Sequence, residues 1–309
     1  MQSTTRIKVI GVGGSGCNAV SRMAKCDIKS VEFIVVNADA QDLDKARANV
    51  KIRIGRKITR GLGTGMNPEI GKKAAEEQRK ELEKALAGAD MVFITCGLGG
   101  GCGSGASPII AEIAKNSGAL TLAVVTKPFS FEGLQRAAIA EVSLNKLKEK
   151  VDTLIFVSND KLISTLDPDT TVSNAFWICD ETLRQAVQGI SDLIILPGII
   201  NINFADVKTI MKDSGTAIFG IGLASGEGRA REAVKKALNS SLTDISCKGA
   251  KGVLFNVSGG KDISLSEIDE VAKLITSEVS KDARIIFGAI KDEKLNEGEI
   301  KVTVIATGF

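Results

Sequence analysis

The sequence contains no histidine and no tyrosine, and aromatic residues occupy only 4% of its 309 positions. The lack of histidine excludes histidine-based catalytic triads, metal sites built on imidazole, and the commonest general base of enzymes. Six cysteines are scattered along the chain without a Cys-x-x-Cys pair. The sequence therefore predicts neither a zinc site nor a disulfide framework, and a reducing cytoplasm is the expected compartment.

Charge and hydropathy also lack extremes. The formal net charge is +3, with no dense block of lysine or arginine, so we expect no nucleic-acid partner. No apolar run is long enough to span a bilayer and no signal-peptide pattern is present, so we expect no direct membrane insertion. The hydrophobic fraction of 44% is sufficient for a sizeable core in one large or two medium domains.

The most informative stretch is the glycine-rich segment Gly97–Gly105. It follows an apolar run, Met91–Thr95, that predicts a buried strand. It precedes Ser107–Ala114, whose spacing predicts a helix with Pro108 in its first turn. Strand, glycine loop and helix form a phosphate-binding arrangement, because glycine lets the backbone approach an anion and the helix N-terminus attracts negative oxygens. A flexible linker is the alternative, but linkers seldom lie between a buried strand and such a helix.

A second glycine motif, Gly11–Gly16, matches G-x-G-x-x-G and follows a predicted strand, Arg6–Val12. The next predicted strand, Val31–Val36, is followed by Asp39. Taken alone, this pattern is a dinucleotide fingerprint, with an acidic residue for a ribose hydroxyl, and it favours an NAD-dependent oxidoreductase. The loop at 97–105 argues against that interpretation, because an NAD domain has no need of it.

A third glycine-rich loop, Gly61–Met66, leads into another predicted helix. Asn67 is its predicted N-cap, and the helix is expected to run from Pro68 to about Ala87, with Gly88 as its stop. A Walker A loop is absent, because the lysines after Gly71 have the wrong spacing and no Ser or Thr follows them.

Strands alternate with helices through the first half of the chain, which predicts an α/β fold with a Rossmann-like, doubly wound parallel sheet. Further strands are predicted at Lys51–Ile54, Leu120–Thr126, Thr153–Val157, Ala217–Leu223, Lys251–Val257, Arg284–Ile290 and Lys301–Thr307. A long helix, Thr171–Leu193, is expected to join the two halves, and Asn201–Asp206 is expected to follow it as a loop. Ser264 and Glu267 predict a capping box. We expect domains at 1–170 and 196–309, connected by the central helix at 171–195.

The segment Gly99–Gly105 resembles the tubulin signature G-G-G-T-G-[ST]-G, and nearly the whole chain resembles the FtsZ family of bacterial tubulin-like cell-division GTPases. Other matching stretches are 9–14, 60–63, 67–71, 128–133, 185–190, 204–211 and 302–309. The resemblance implies a GTPase domain joined by a long central helix to a smaller α/β domain for activation and polymerisation. It also implies a cytoplasmic, midcell protein that polymerises with itself head to tail for cell division.

The resemblance further implies a role for each matching residue. The phosphates would be cradled by Gly13, Gly14, Gly99, Gly100, Gly101, Cys102, Gly103 and Ser104. The γ-phosphate would lie near Thr64, Gly65 and Asn67, and the ribose and phosphates would contact Pro128, Glu132 and Arg136. Guanine would be held by Asn18, Asn159, Phe176 and Asp180, although core packing is the alternative for Phe176. Mg²⁺ would bridge the β- and γ-phosphates of GTP, largely through water.

The resemblance implies a split active site, in which the loop after the long helix enters the nucleotide pocket of the next subunit. Hydrolysis then requires a polymer. The family loop reads N-x-D-x-x-D, and the corresponding residues of this chain are Asn201, Asn203 and Asp206. Because an amide lacks the charge of a carboxylate, we expect slow hydrolysis that rests mainly on Asp206, with binding and assembly intact. A structural filament that uses GTP as a fastener, with little or no hydrolysis, is the alternative.

Two further departures concern the phosphate loops and the end of the sequence. Cys17 and Cys102 replace more usual loop residues, and a thiol is a weak hydrogen-bond donor, so we expect modestly lower phosphate affinity. The dipoles around Cys102 predict a lowered pKa for its thiol.

The sequence stops at the last predicted strand, without the linker and terminal peptide that tether family members to membrane adaptors. We expect either a trimmed chain or another route to the membrane.

Overall fold

The computed structural model describes residues 5–26, 28, 30–164, 166–167, 169–239, 247–292 and 294–309. The chain divides into two units, Met1–Gln188 and Gly189–Phe309. In the described part of the chain, no helix has both the length and the apolar character needed to cross a bilayer.

The first unit is built on a parallel sheet, as the alternation of strands and helices predicts. Its strands are β1 (Ile7–Val12), β2 (Val31–Asn37), β3 (Val50–Arg53), β4 (Met91–Gly97), β5 (Leu120–Lys127) and β6 (Thr153–Ser158). The central strands are near-continuous apolar runs because helices cover both faces of a parallel sheet. In β4, for example, every residue from Met91 to Cys96 is buried.

The strand order of this sheet is β3-β2-β1-β4-β5-β6. β1 pairs with β2 on one side and with β4 on the other, so the order reverses between β1 and β4. In open α/β sheets the crevice at such a reversal, beyond the carboxyl ends of the strands, is where ligands bind. Two of the glycine-rich segments of the sequence begin at the carboxyl ends of β1 and β4.

The helices of this unit are α1 (Gly13–Met23), α2 (Ala40–Lys45), α3 (Pro68–Glu77), α4 (Arg79–Leu86), α5 (Gly101–Asn116), α6 (Leu134–Lys148) and α7 (Asn159–Ser164). The expectation that a helix begins at Ser107 is wrong, because α5 already begins at Gly101 and Pro108 lies inside it. The glycines here allow close helix contact as well as loop conformations. A Cβ on Gly105 would lie 2.0 Å from the Pro68 carbonyl oxygen of α3.

The helix predicted from Pro68 to Ala87 is two helices with a break at Gln78. Gln78 leaves helical geometry with φ −104° and ψ 20°. Its side-chain carbonyl accepts a hydrogen bond from Gly55 N at 2.5 Å, which ties the break to the loop after β3. The predicted start of this helix is confirmed, since Asn67 accepts hydrogen bonds from Glu69 N and Ile70 N.

The long helix α8 spans Val172–Ile195, close to the predicted range. The second unit then contains α9 (Phe204–Met211), β7 (Gly215–Ser225), α10 (Arg229–Asn239), β8 (Gly252–Gly259), α11 (Leu265–Ser277), β9 (Arg284–Lys291) and β10 (Glu299–Thr307). Its strand order is β7-β10-β8-β9, with β10 antiparallel to both neighbours and β8 parallel to β9. The predicted capping box of α11 is confirmed, with Ser264 accepting from Glu267 N.

Candidate functional site

A cavity of about 320 Å³ lies where the sheet order of the first unit reverses. The carboxyl ends of β1 and β4 border it, together with the first turns of α1 and α5. Most of the residues predicted to bind nucleotide line this cavity. They are Gly13, Gly14, Thr64, Gly100, Gly101, Cys102, Gly103, Pro128, Glu132, Arg136, Asn159, Phe176 and Asp180.

The two glycine segments that line the cavity approach each other closely at Gly13 and Gly103. A Cβ on Gly13 would lie 3.0 Å from Gly103 N, and Gly13 has a positive φ of +73°. Neither the N-cap Val12 of α1 nor the N-cap Gly100 of α5 makes a side-chain cap. The first backbone N–H groups of both helices therefore lack side-chain acceptors from these caps, and two positive helix ends converge on one cavity. Such an arrangement binds phosphate oxygens.

The cavity is also lined by side chains suited to a purine base. Asp180 of α8 is only 7% exposed, and burial raises the pKa of its carboxyl to about 6. Arg22 of α1 opposes that rise, because its guanidinium Nε lies 3.0 Å from Asp180 Oδ2. Asn159 is buried, and its Oδ1 has no hydrogen-bond partner among the described residues.

Phe176, one turn before Asp180 on α8, is 43% exposed, which is unusual for a core phenylalanine. Its ring meets Phe129 edge to face, with centroids 5.2 Å apart. This perpendicular contact leaves much of the Phe176 ring exposed, so a base can stack against it.

A turn after β5 forms another wall. Glu132 accepts a hydrogen bond from Phe129 N at 3.0 Å and pairs with Arg136 Nη1 at 2.5 Å. Arg136 lies in the first turns of α6, one helical turn after Glu132. The pair presents a carboxylate and a guanidinium to the same cavity, a combination suited to ribose hydroxyls and phosphate oxygens.

Five predicted residues do not line the cavity, and these are Asn18, Gly65, Asn67, Gly99 and Ser104. Two of them contact the glycine-rich segment at 99–101. Ser104 is buried, and its hydroxyl accepts a hydrogen bond from Gly99 N at 2.9 Å. The backbone of Asn67 lies against Gly101, where a Cβ would meet Asn67 N at 2.7 Å.

Sequence reasoning missed Asn37 and Arg22. Asn37 ends β2, is 3% exposed and lines the cavity, and its Nδ2 has no acceptor among the described residues. Its Oδ1 accepts a hydrogen bond from Asp39 N at 3.1 Å. Its position at a strand end beside the glycine motif was the available signal. Arg22 follows Asn18 by four residues on α1, a spacing that places both side chains on one helix face.

The expectation of a lowered pKa for the Cys102 thiol is wrong. Burial raises the pKa of Cys102 to about 11, despite backbone hydrogen bonds that favour the thiolate. Cys17 does not line the cavity. It is buried with its Sγ 3.7 Å from the Val36 carbonyl oxygen, and burial raises its pKa to about 12.

The segment expected to be a loop at 201–206 belongs to the second unit, and its last three residues form the first turn of α9. Asn203 is the N-cap of this helix. Its Oδ1 accepts from Asp206 N at 2.8 Å, while Asp206 Oδ2 accepts from Asn203 N at 3.2 Å. Asn201 Oδ1 accepts from Gly198 N at 2.6 Å. The asparagine thus retains the capping role that an aspartate would fill.

Within the described residues, no three His, Cys, Asp or Glu side chains are grouped closely enough to hold a metal ion. Asp42, which lines the cavity, is an acidic residue near Gly14. This donor set fits a cation held mainly by phosphate oxygens and water, which is how Mg²⁺ is commonly bound at nucleotide sites.

Comparison with known proteins matches both units. A model of the Tubulin/FtsZ family GTPase domain matches residues 6–167, and a model of the FtsZ family C-terminal domain matches residues 215–309. The first match contains the G-x-G-x-x-G motif, so the NAD-dependent interpretation of that motif is wrong.

Solved structures give the same result. The chain is similar to an empty FtsZ dimer of M. jannaschii, with 45% identity, a TM-score of 0.94, and coverage of 100% of this chain and 89% of that one. It is equally similar to a mutant FtsZ of that organism, which covers 99% of this chain and is itself covered to 92%. CetZ2 from Haloferax volcanii, a GTPγS-bound protofilament, shares the fold at 20% identity and a TM-score of 0.84, over 98% of this chain and 92% of that one.

Proposed function

Because the chain belongs to the tubulin/FtsZ family of GTPases, we propose that it binds GTP in the cavity between β1 and β4 and polymerises head to tail into protofilaments for cell division. The observation that carries the proposal is the convergence of two glycine-rich helix N-termini, both without side-chain caps, on one cavity that is also lined by a buried carboxylate.

Guanine is bound at the end formed by Asn159, Phe176 and Asp180. The ionised Asp180 carboxylate accepts hydrogen bonds from the ring N–H and the amino group of guanine, which adenine cannot supply together. Arg22 keeps that carboxylate ionised at neutral pH against the cost of burial. Asn18 lies one helical turn before Arg22 and contacts the base from the rim of the site.

The phosphates are bound by backbone N–H groups at the starts of α1 and α5, where Gly13, Gly14 and the 99–104 segment lie. Thr64, Gly65 and Asn67 form the wall nearest the γ-phosphate, and Asn37 adds an amide donor to the cavity. Pro128, Glu132 and Arg136 contact the ribose and phosphates. Mg²⁺, when bound, supplies positive charge between the β- and γ-phosphates and is held largely through water.

The hydrolytic site is completed by a second copy of the chain. The 201–206 segment of one copy faces the γ-phosphate of the next, where Asp206 orients the attacking water and Asn201 assists by hydrogen bonding. Asn203 Oδ1 caps α9 by accepting from Asp206 N, and the Asn203 side chain carries no charge. Hydrolysis is therefore polymer-dependent and slow, because phosphoryl transfer here depends on positioning and charge.

The surface around the cavity mouth suits self-association. Leu62 is 86% exposed and Leu134 is 89% exposed, and both belong to segments whose neighbours line the cavity. Large exposed apolar side chains around a polar site mark a protein-binding surface. A second copy covers them in the filament. The filament acts in the cytoplasm at midcell with division-ring adaptors as partners.

The proposal is tested by two measurements on the same sample. Fluorescence titration should show binding of a methylanthraniloyl-labelled GTP that GTP and GDP displace but ATP does not. Light scattering should rise only when GTP is added above a threshold protein concentration. Equal displacement by ATP and GTP would contradict the base assignment, and scattering that is independent of GTP would contradict nucleotide-dependent assembly. Scattering with GTP but without phosphate release would favour the GTP-fastened filament, for which Asn203 is the supporting observation.

A further inference from the structure

The turn Phe129–Gly133 carries Glu132, which is proposed to contact ribose and phosphate, and its internal hydrogen bonds fix its shape. Glu132 N donates to Phe129 O at 3.0 Å, and Gly133 N donates to Ser130 O at 3.2 Å. Phe129 N donates to Glu132 Oε1 at 3.0 Å. These bonds close the turn on itself, so other contacts must set its position against the cavity.

Asp160 makes such a contact from the end of a different strand. Its Oδ1 accepts a hydrogen bond from Ser130 N at 2.9 Å, across a sequence separation of 30 residues. Asp160 is the second residue of α7 and directly follows Asn159. Asn159 lines the nucleotide cavity, while Asp160 holds the turn. Two consecutive residues thus connect the base end of the site to its ribose wall.

An aromatic contact fixes the other side of the same turn. Phe129 is fully buried, and its ring stacks on Phe131 at 4.9 Å and meets Phe176 edge-on at 5.2 Å. The turn is therefore anchored by packing at Phe129 and by a hydrogen bond at Ser130. The second anchor is exposed and polar, so it can be removed without disturbing the core.

We propose that Asp160 is a positioning residue for nucleotide binding: it holds the 129–133 turn so that Glu132 and Arg136 meet the ribose and phosphates. The inference rests on the proposed function, because it assigns the turn to nucleotide contact. Asp160 acts through the Ser130 N–H and does not touch the nucleotide.

Removing either partner should weaken binding by a similar factor. Asp160→Ala deletes the acceptor and should lower the affinity for labelled GTP and GDP about five- to tenfold, the usual effect of one hydrogen bond. Asp160→Asn keeps an acceptor oxygen and should restore most of the affinity. The rate of hydrolysis at saturating GTP should change little, because the turn acts in binding.

Ser130→Pro deletes the donor instead. Proline is tolerated at the first position of a helical turn, and Phe129 already has the extended conformation that precedes proline, with φ −67° and ψ 148°. If both residues act through this one bond, the double variant Asp160→Ala/Ser130→Pro should bind no more weakly than either single variant. Glu83→Ala, at an exposed position on α4, is the matched control for loss of an acidic side chain.

The experiment is a titration of labelled GTP and labelled GDP with the wild-type chain and these five variants, together with ligand-free thermal unfolding of each. The inference predicts weakening in both single variants, no further weakening in the double variant, and recovery in Asp160→Asn. Unchanged binding in Asp160→Ala, additive losses in the double variant, or failure of Asp160→Asn to recover would each overturn it. If the wild-type chain does not bind labelled GTP, the proposed function itself fails, which is a separate outcome. If Asp160→Ala does not fold, Ser130→Pro and Asp160→Asn still decide the question.

Discussion

Arg22 Nε lies 3.0 Å from Asp180 Oδ2, so the carboxylate assigned to guanine has a cationic partner before any base is bound. The charge of Arg22 offsets only part of the cost of burying this carboxylate, because burial raises the pKa of Asp180 to about 6 in spite of Arg22. A carboxyl with this pKa is ionised at neutral pH and protonates under mildly acidic conditions. We therefore expect the proposed guanine site to hold its carboxylate acceptor near neutral pH and to lose it at lower pH.

The affinity for GTP should fall as pH falls through about 6, the pKa of Asp180. Only the ionised carboxylate accepts from both guanine donors, so affinity should fall about tenfold for each pH unit below that value. The stability of the ligand-free chain should change with pH in the opposite direction from the affinity. The raised pKa favours folding of the ligand-free chain below the ordinary aspartate value of 3.8, and this contribution is lost as pH rises through about 6.

Asp180→Asn is the control for this pH dependence, because the terminal phosphate of GTP titrates in the same range. The variant should bind GTP at least tenfold more weakly at pH 7.5 and show a shallower dependence on pH. It should also gain relative affinity for xanthosine triphosphate, in which a carbonyl replaces the guanine amino group and can accept from the asparagine amide. A titration of both nucleotides from pH 5 to 8 tests this, and equal slopes for variant and wild type would contradict it.

Asn37→Asp should weaken nucleotide binding at least tenfold. The change keeps the oxygen that accepts from Asp39 N but replaces the unpartnered Nδ2 donor with a negative oxygen in the cavity proposed to bind the phosphates. Asn37→Ala should have a smaller effect, because it removes the donor without adding charge. Titration of labelled GTP checks the order of the variants. An aspartate variant that binds as tightly as wild type would exclude Asn37 from the phosphate site.

Gly105→Ala should destabilise the ligand-free chain by about 2–4 kcal/mol. The new Cβ would lie 2.0 Å from the Pro68 carbonyl oxygen, so α3 and α5 would have to separate. Gly100→Ala is the stability control, because no atom lies within 4 Å of its Cβ position, and it should cost at most about 1 kcal/mol. Urea unfolding without nucleotide compares the two. Equal losses would show that helix contact is not the reason for glycine at 105.

Cys26 should react first with a thiol reagent at pH 8. It is exposed, whereas burial raises the pKa of Cys102 to about 11 and that of Cys17 to about 12. Alkylation followed by peptide mass spectrometry should show labelling of both buried thiols at least tenfold slower than that of Cys26. Early labelling of Cys102 would instead indicate an activated thiolate at the phosphate loop.

Local pattern was sufficient to predict the parallel sheet, the central helix α8 and the caps at Asn67 and Ser264, because each depends on periodicity or a short motif. It failed where tertiary contacts override local signals. Gly101 lies in a helix because α5 packs closely on α3, and Gln78 breaks a helix because its side chain binds Gly55 N. The pKa of the Cys102 thiol was predicted in the wrong direction, because burial raises it by more than the nearby backbone dipoles lower it.

Prediction of the candidate site from local sequence pattern had the same limit. The glycine motifs identified residues that line the cavity, but Asn37 and Arg22 belong to no motif. Their roles follow from the strand order, which places the end of β2 beside β1, and from the packing of α1 against the Asp180 side chain. Neither relationship can be read from spacing alone.

The central claim, that two copies share one slow hydrolytic site, is tested most directly by phosphate release measured against protein concentration, with light scattering on the same samples. The wild-type chain should release phosphate slowly and only above the concentration at which scattering appears. Asn203→Asp, which keeps the cap of α9 and adds a charge, should accelerate release about tenfold or more, whereas Asp206→Ala should abolish release but retain GTP-dependent scattering. Release proportional to protein concentration without a threshold, and indifferent to both substitutions, would contradict the shared site.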